Sequence, residues 1–195
     1  MSMIIALVGN PNCGKTTMFN ALTGSNQYVG NWPGVTVEKK EGYLKGNKDI
    51  KIVDLPGIYS LSPYTPEEII TRDFLMNQKP DVILNIVDAS NIERNLYLTT
   101  QLMETNIPMV IALNMMDITP KNGIKIKTSN LSHYLGCPII ETTALKQKGL
   151  KALVDTILST KKTPNLPTFN PEIEVMLKEM EHLLTGIVFE SVARW

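Results

Sequence analysis

Gly9-Asn10-Pro11-Asn12-Cys13-Gly14-Lys15-Thr16 is the stretch on which the reading of this 195-residue chain turns. The apolar run Met3-Ile4-Ile5-Ala6-Leu7-Val8 precedes it. Thr17-Met18-Phe19-Asn20-Ala21-Leu22 follows with helical character and is closed by Thr23-Gly24. A strand, a glycine-bearing loop ending in Lys-Thr, and then a helix is the context in which such a motif binds phosphate. The glycines let backbone N–H groups turn into one concavity, and the helix N-terminus adds partial positive charge there. Lys15 is then placed to reach β- and γ-phosphates, and the Thr16 hydroxyl to ligand magnesium. The plainer alternative is an ordinary strand–turn–helix corner.

Outward from this loop, apolar runs and helical patterns alternate. Residues 82–87 and 109–113 are continuous apolar runs, as strands covered on both faces are. Residues 36–44 alternate and are answered by Ile50-Lys51-Ile52-Val53 across Gly46-Asn47, which predicts an antiparallel hairpin. Residues 25–33 are polar and glycine-containing and read as a loop. Thr65-Pro66-Glu67-Glu68 opens a helix with a Thr N-cap and a Glu box partner. Residues 92–103 and 130–135 read as helices, and 138–140 as a short strand. Leu150, Leu153, Val154, Ile157 and Leu158 fall on one helical face. Six strands alternating with helices predict an α/β fold, a mostly parallel sheet covered on both faces. Ligands of such sheets bind beyond the carboxyl ends of the strands, where the phosphate loop lies.

Bulk composition narrows the rest. Lys+Arg and Asp+Glu are both 19, so no net charge draws the chain to nucleic acid, and no nucleic-acid partner is expected. Hydrophobic residues are 43%, enough for a sizeable core. Two distant cysteines, Cys13 and Cys137, make no disulfide framework and fit a reducing compartment. No apolar run approaches the roughly 20 residues that span a bilayer, and the N-terminus has no signal-peptide pattern. Residues 1–160 read as one domain and 161–170 as a linker. Residues 171–195 read as the start of a second, helical domain, cut short, with Asn170 capping a helix opened by Pro171. Ile173, Met176, Leu177, Met180, Leu183 and Leu184 give that helix an apolar face that needs a partner.

Three further motifs stand at strand ends. Asp54-Leu55-Pro56-Gly57 places a carboxylate for a magnesium-bound water and a glycine N–H for a γ-phosphate. Asn114-Met115-Met116-Asp117 places a carboxylate that can accept from the N1–H and N2–H2 edge of guanine. Adenine lacks that donor pair, so Asp117 selects against ATP. Asn114 would brace the loop and contact the base. In Thr142-Thr143-Ala144, a backbone N–H near Ala144 is a candidate donor to guanine O6. His133 and His182 have no ligand-spaced partners and read as surface or packing residues. Cys13 reads as a small filler.

The four motifs in this order resemble the small GTPase superfamily over residues 3 to about 158. The resemblance implies a Ras-like P-loop domain. Three segments are similar to the cytosolic G domain of the FeoB ferrous iron transporters: residues 9–17, the run Val29-Gly30-Asn31-Trp32-Pro33-Gly34-Val35-Thr36-Val37-Glu38, and Asp54-Leu55-Pro56-Gly57-Ile58-Tyr59-Ser60-Leu61. The resemblance implies a GTPase that binds GTP and GDP with Mg2+ through Gly9, Asn10, Pro11, Asn12, Cys13, Gly14, Lys15, Thr16 and Thr17. Asp54, Gly57, Asn114, Met115, Asp117, Thr143 and Ala144 complete that set. Thr36 would bind magnesium in the GTP state. Asn12 would hold a monovalent cation, potassium, together with the Gly30 and Trp32 carbonyls. Lys15, Asn12, Thr36 and Gly57 would carry catalysis.

Residues 25–38 and 57–65 would be switch loops. The second domain would be a helical spacer leading to a membrane transport domain of the same polypeptide, at the cytoplasmic face of the cell membrane. A homo-oligomer is an expected possibility for the assembly.

Two departures qualify the resemblance. Ile58 stands where Ras-type enzymes keep a water-orienting glutamine, so hydrolysis is expected to be slow or to use another group. Met115 replaces a lysine, so weaker nucleotide affinity is expected. Rival readings are a ribosome-assembly or tRNA-modification GTPase, a regulatory nucleotide-binding module with negligible turnover, and an ATP-using transporter domain.

Overall fold

The structure, a computed structural model, describes residues 2–24, 27–161, 163–166 and 168–184. The continuous apolar runs form the parallel centre of one sheet: β1 (Met3–Gly9), β5 (Val82–Asp88), β6 (Met109–Asn114) and the short β7 (Ile139–Glu141). β2 (Gln27–Asn31), β3 (Glu38–Leu44) and β4 (Asn47–Asp54) complete it in the order β2-β3-β4-β1-β5-β6-β7. β1 pairs in parallel with β4 and β5, and only β3 runs antiparallel to its neighbours.

Apolar continuity in β1 has a direct cause in the packing. Ala6 and Val8 enter one core with Val53, Ile83, Leu98 and Ile111. Ile5 and Leu7 enter another with Phe19, Ile52, Leu84 and Ile157. With both faces covered, neither parity of the strand can be polar. The first core lies under α2 (Pro66–Asp73) and α3 (Ile92–Glu104). The second lies under α1 (Lys15–Thr23) and α5 (Leu150–Ser159). The parallel connections bring every loop that carries a motif to the carboxyl edge.

The sheet has seven strands, one more than the six read from sequence. The added strand is β2, which falls inside the segment read as a loop; residues 25 and 26 of that segment lie outside the described residues. β2 sits at the sheet edge, and Tyr28 and Val29 are both more than half exposed. An edge strand buries little, so no apolar alternation marks it. Its pairing with β3, from Gln27↔Gly42 to Asn31↔Glu38, defines it instead. β3 begins at Glu38 rather than Thr36 because residues 33–36 form a turn and bend.

The Thr65 capping box is formed: its side chain accepts from the Glu68 N–H, and Glu68 accepts from the Thr65 N–H. α4 (Thr128–Leu135) ends at Gly136, and the Asn165 N–H donates to the Leu135 carbonyl, which holds that residue against the helix end. Asn170 caps α6 (Pro171–Leu184) by accepting from the Ile173 N–H at 3.0 Å. The predicted apolar face of α6 is exposed at Ile173, Met176, Met180 and Leu183. Residues 185–195 of the segment read as a truncated helical domain lie outside the described residues. Among the described residues no helix is long and apolar enough to cross a membrane.

Candidate functional site

The loop between β1 and α1 turns through positive φ at Asn12 (65°) and Gly14 (88°). Gly14 is the left-handed N-cap of α1, and no side chain caps the helix start. The first-turn N–H groups of Lys15, Thr16 and Thr17 therefore face outward as donors. A Cβ on Gly14 would stand 2.4 Å from Asn114 Nδ2, and one on Gly9 2.7 Å from Cys13 Sγ and from the Ile86 carbonyl oxygen. Close approach requires glycine at both positions, and at Gly14 the positive φ requires it as well. The loop opens on a cleft of about 570 Å³ lined by Asn10, Pro11, Asn12, Gly14, Lys15, Thr16, Thr17, Gly57 and Met115.

A smaller adjoining cleft is lined by Lys15, Thr16, Glu38, Lys40, Asp54 and Gly57 among others. Lys15 Nζ lies 2.5 Å from Asp54 Oδ1, and both side chains are nearly buried. Burial pushes the Asp54 carboxyl up from its ordinary range, and the Lys15 ammonium opposes that rise. The segment after Asp54 is laced to the phosphate loop and β1. The Leu55 N–H donates to the Leu7 carbonyl, and the Ile58 N–H to the Gly9 carbonyl at 3.3 Å. Gly57 packs so closely that a Cβ there would meet the Pro11 backbone at 3.3 Å. The Ile58 side chain is buried in the core, so it presents no polar group to a water.

Asn114 joins the two ends of the site. Its Nδ2 donates to the Cys13 carbonyl at 3.0 Å, and its Oδ1 accepts from the Ala144 N–H at 3.0 Å. The bracing read from sequence is present, and it engages the Ala144 N–H. Thr143 forms a bridge with Lys148 that shapes the same loop. Met115, at φ 63°, lines the phosphate-loop cleft. Asp117, half-buried, pairs with Lys146 Nζ at 2.8 Å, and that ammonium holds its carboxyl below the usual carboxylate range.

Thr16 and Asp54 share one cleft, and their hard oxygen donors suit magnesium, which keeps several of its waters. Thr36 does not line that cleft; it is exposed in the turn before β3, while Val37 and Glu38 reach the cleft. Of the residues expected to hold a monovalent cation, Asn12 alone lines the phosphate-loop cleft. Gly30 lies in the edge strand opposite Lys39. The Trp32 carbonyl accepts from the Val35 N–H within the turn. Trp32 is buried in the core, edge-to-face on Phe74 with centroids 5.8 Å apart and Lys39 Nζ 4.8 Å from its ring. It lines a separate cleft of about 640 Å³, larger than the phosphate-loop cleft.

Sequence reasoning missed Lys146. A carboxylate whose neighbouring position holds Met115 in place of a cation was the available signal. It also missed two side chains of α3 that tie down the segment after Gly57. Gln101 Oε1 accepts from the Leu61 N–H at 2.8 Å, and the Arg94 guanidinium lies 4.1 Å from the Tyr59 ring centroid. Spacing alone gives no sign of those contacts. His133 and His182 are exposed, as read, and no group of three metal-ligating residues occurs among the described residues. Cys13 is buried, and burial pushes its thiol up to about 11, which fits a filler.

Residues 3–157 match the family described as ferrous iron transport protein B. A Porphyromonas gingivalis Fe(2+) transport protein A/Fe(2+) transporter FeoB fusion protein is 52% identical over 157 residues. That match covers 80% of this chain and 19% of the relative, so the chain spans about a fifth of that protein's length. Among solved structures, a GDP-bound mutant of S. thermophilus NFeoB is 52% identical with a TM-score of 0.93. The match covers 98% of this chain and 76% of that one. A GMPPNP-bound NFeoB mutant from the same source is 50% identical with a TM-score of 0.88, covering 98% and 76%.

Proposed function

Because the chain belongs to the ferrous iron transport protein B family, we propose that it is the GTP-binding and GTP-hydrolysing cytosolic domain of a ferrous iron transporter. It regulates Fe(II) uptake through nucleotide-dependent loops. In the full protein it is joined to a membrane transport domain at the cytoplasmic face of the cell membrane. α6 then opens a helical spacer between the two. GDP and GMPPNP in the related NFeoB structures support the choice of nucleotide.

The observation that carries the reading is Asn114. One buried side chain bonds the phosphate loop at Cys13 and the base-side loop at Ala144, three residues before Asp117. The distance between the phosphate end and the base end of a nucleotide site is thereby fixed. Asp117 accepts the guanine N1–H and N2–H2 pair, and adenine offers no such pair of donors.

The first-turn N–H groups of α1 and Lys15 hold the β- and γ-phosphates. To do so Lys15 leaves Asp54, and the Gly57 N–H, beside Pro11 of the phosphate loop, is the donor for the γ-phosphate. Thr16 and Asp54, the latter through water, are the magnesium residues, joined by Thr36 when its turn moves in. Magnesium, when bound, offsets charge on the phosphate oxygens. Water attacks the γ-phosphorus, the bond to the β–γ bridging oxygen breaks, and GDP leaves with that bond's electrons. No polar side chain at position 58 orients the water, so turnover is slow. Asn12 is the member of the proposed potassium set that lines the cleft, so any potassium effect on the rate depends on it.

Phosphate release from GTP, measured with magnesium in matched potassium and sodium buffers, tests the reading. We expect slow multiple turnover of GTP and none of ATP, faster in potassium, with the potassium effect lost in Asn12→Ala. Equal rates with ATP and GTP would reject the guanine assignment. Binding of GTP without any turnover would leave a regulatory module, the reading that the buried Ile58 favours.

A further inference from the structure

Beside the carboxylate assigned to the guanine base stands a cation that no nucleotide-binding motif of the sequence supplies. Lys146 ends the 3-10 turn Ala144–Lys146, the turn whose first N–H is bonded to Asn114. Its Nζ lies 2.8 Å from Asp117 Oδ2, and both side chains keep contact with solvent. The pairing engages one oxygen only. An ionised carboxylate offers about four lone-pair positions, and a guanine edge uses one on each oxygen. Lys146 can therefore remain on Oδ2 while the base is bound. Met115, at the position next to Asn114, brings no charge to this end of the site.

We propose that Lys146 is a positioning residue for base specificity: it holds the Asp117 carboxylate aimed at the base edge and supplies, from the neighbouring turn, the positive charge that Met115 does not. The ionised Asp117 carboxylate accepts two hydrogen bonds from the base edge. Because Ala144 and Lys146 belong to one turn, Asn114 also fixes where the ammonium stands. The pair is solvent-exposed enough that its effect is modest and sensitive to salt. The inference rests on the guanine-nucleotide reading above.

The test is GDP affinity of the chain, measured by displacement of a fluorescent guanine nucleotide at low and high salt. Wild type reports on the underlying reading: if it binds no guanine nucleotide, that reading fails before any variant is compared. Given binding, Lys146→Ala and Lys146→Met are expected to weaken GDP about two- to five-fold at low salt. Lys146→Arg is expected to match wild type. The loss should vanish near 1 M salt, where screening acts within about 3 Å. Rescue by Met with no salt dependence would mean that the stem packs and the charge is idle, and would overturn the proposal. Unchanged or tighter binding in Lys146→Ala would do the same, the latter making Lys146 a competitor of the base. In an Asp117→Asn background with xanthosine diphosphate as ligand, Lys146→Ala is expected to cost nothing further. An equal loss there would show a structural role independent of Asp117.

Discussion

Asn114→Ala should destabilise the chain even without nucleotide. Asn114 is 3% exposed, and its two good hydrogen bonds run to backbone groups of different loops, the Cys13 carbonyl and the Ala144 N–H. Alanine leaves both groups buried without a partner. At about 1–3 kcal/mol for each orphaned group, the loss is about 2–4 kcal/mol after partial relaxation. For a chain of this size that lowers the thermal midpoint by about 5–15 °C. The assay is thermal and urea unfolding of the nucleotide-free protein, followed by circular dichroism. Asp117→Ala is the matched comparison from the same motif. Its side chain is a third exposed and its partner is a surface lysine, so its midpoint should stay close to wild type while guanine binding is lost. If Asn114→Ala unfolds at the wild-type midpoint, or if both variants fall equally, the bracing argument is wrong.

Other expectations follow from single contacts. Gly149 has φ 78°, and a Cβ there would lie 2.2 Å from the Glu141 carbonyl oxygen, so Gly149→Ala should cost at least about 2 kcal/mol in urea unfolding. Trp32 Nε1 is buried without a hydrogen-bond partner, so Trp32→Phe should change stability by less than about 1 kcal/mol, while Trp32→Ala costs about 3–5. Equal losses in the two would mean that the indole nitrogen has a partner after all. Cys13 titrates at about 11 in the folded chain against an ordinary value of 9.0. The unfolded chain therefore sheds this proton first, and the Cys13 contribution is complete below pH 9 and lost as pH rises through 11. A Cys13→Ser variant should show a shallower fall in stability over that window. Native iodoacetamide labelling of Cys13 at pH 8, read by peptide mapping, should be slow.

What the sequence disclosed depended on whether a residue's role is written in its own neighbourhood. The phosphate loop, Asp54 and Asn114 were legible because each follows an apolar strand, and parallel connections carry every strand end to one edge. The Thr65 box was legible because both its members lie within four residues. β2 was not, since an edge strand is defined by its hydrogen bonds to β3 and carries no buried stripe. Lys146, Arg94 and Gln101 were not, because their partners stand 29, 35 and 40 residues away and only the folded sheet brings them together. Trp32 was read through its backbone carbonyl, whereas its indole is what the structure uses, as a core side chain against Phe74.

That use of Trp32 bears on how the loop before β3 can respond to a nucleotide. Thr36 lies inside a turn closed by the Trp32 N–H donating to the Val37 carbonyl at 2.9 Å, and Trp32 anchors that turn in the core. To bring Thr36 to the cleft of Thr16 and Asp54, either that hydrogen bond breaks or the indole leaves its seat. A tryptophan buries roughly 150–250 Å², which at about 25 cal/mol per Å² sets a ceiling of about 4–6 kcal/mol on the cost of unseating it. On the proposed mechanism, contacts of the γ-phosphate and magnesium would have to exceed that cost where the indole leaves its seat, and the resting position of the loop is held by the packing of Trp32. The seat also includes Phe74, which directly follows α2, and Leu55, Ile58 and Leu61 share the same core. Vacating it loosens the packing behind the Asp54–Gly57 segment, so the two loops that flank the phosphates are joined through this core before any ligand arrives.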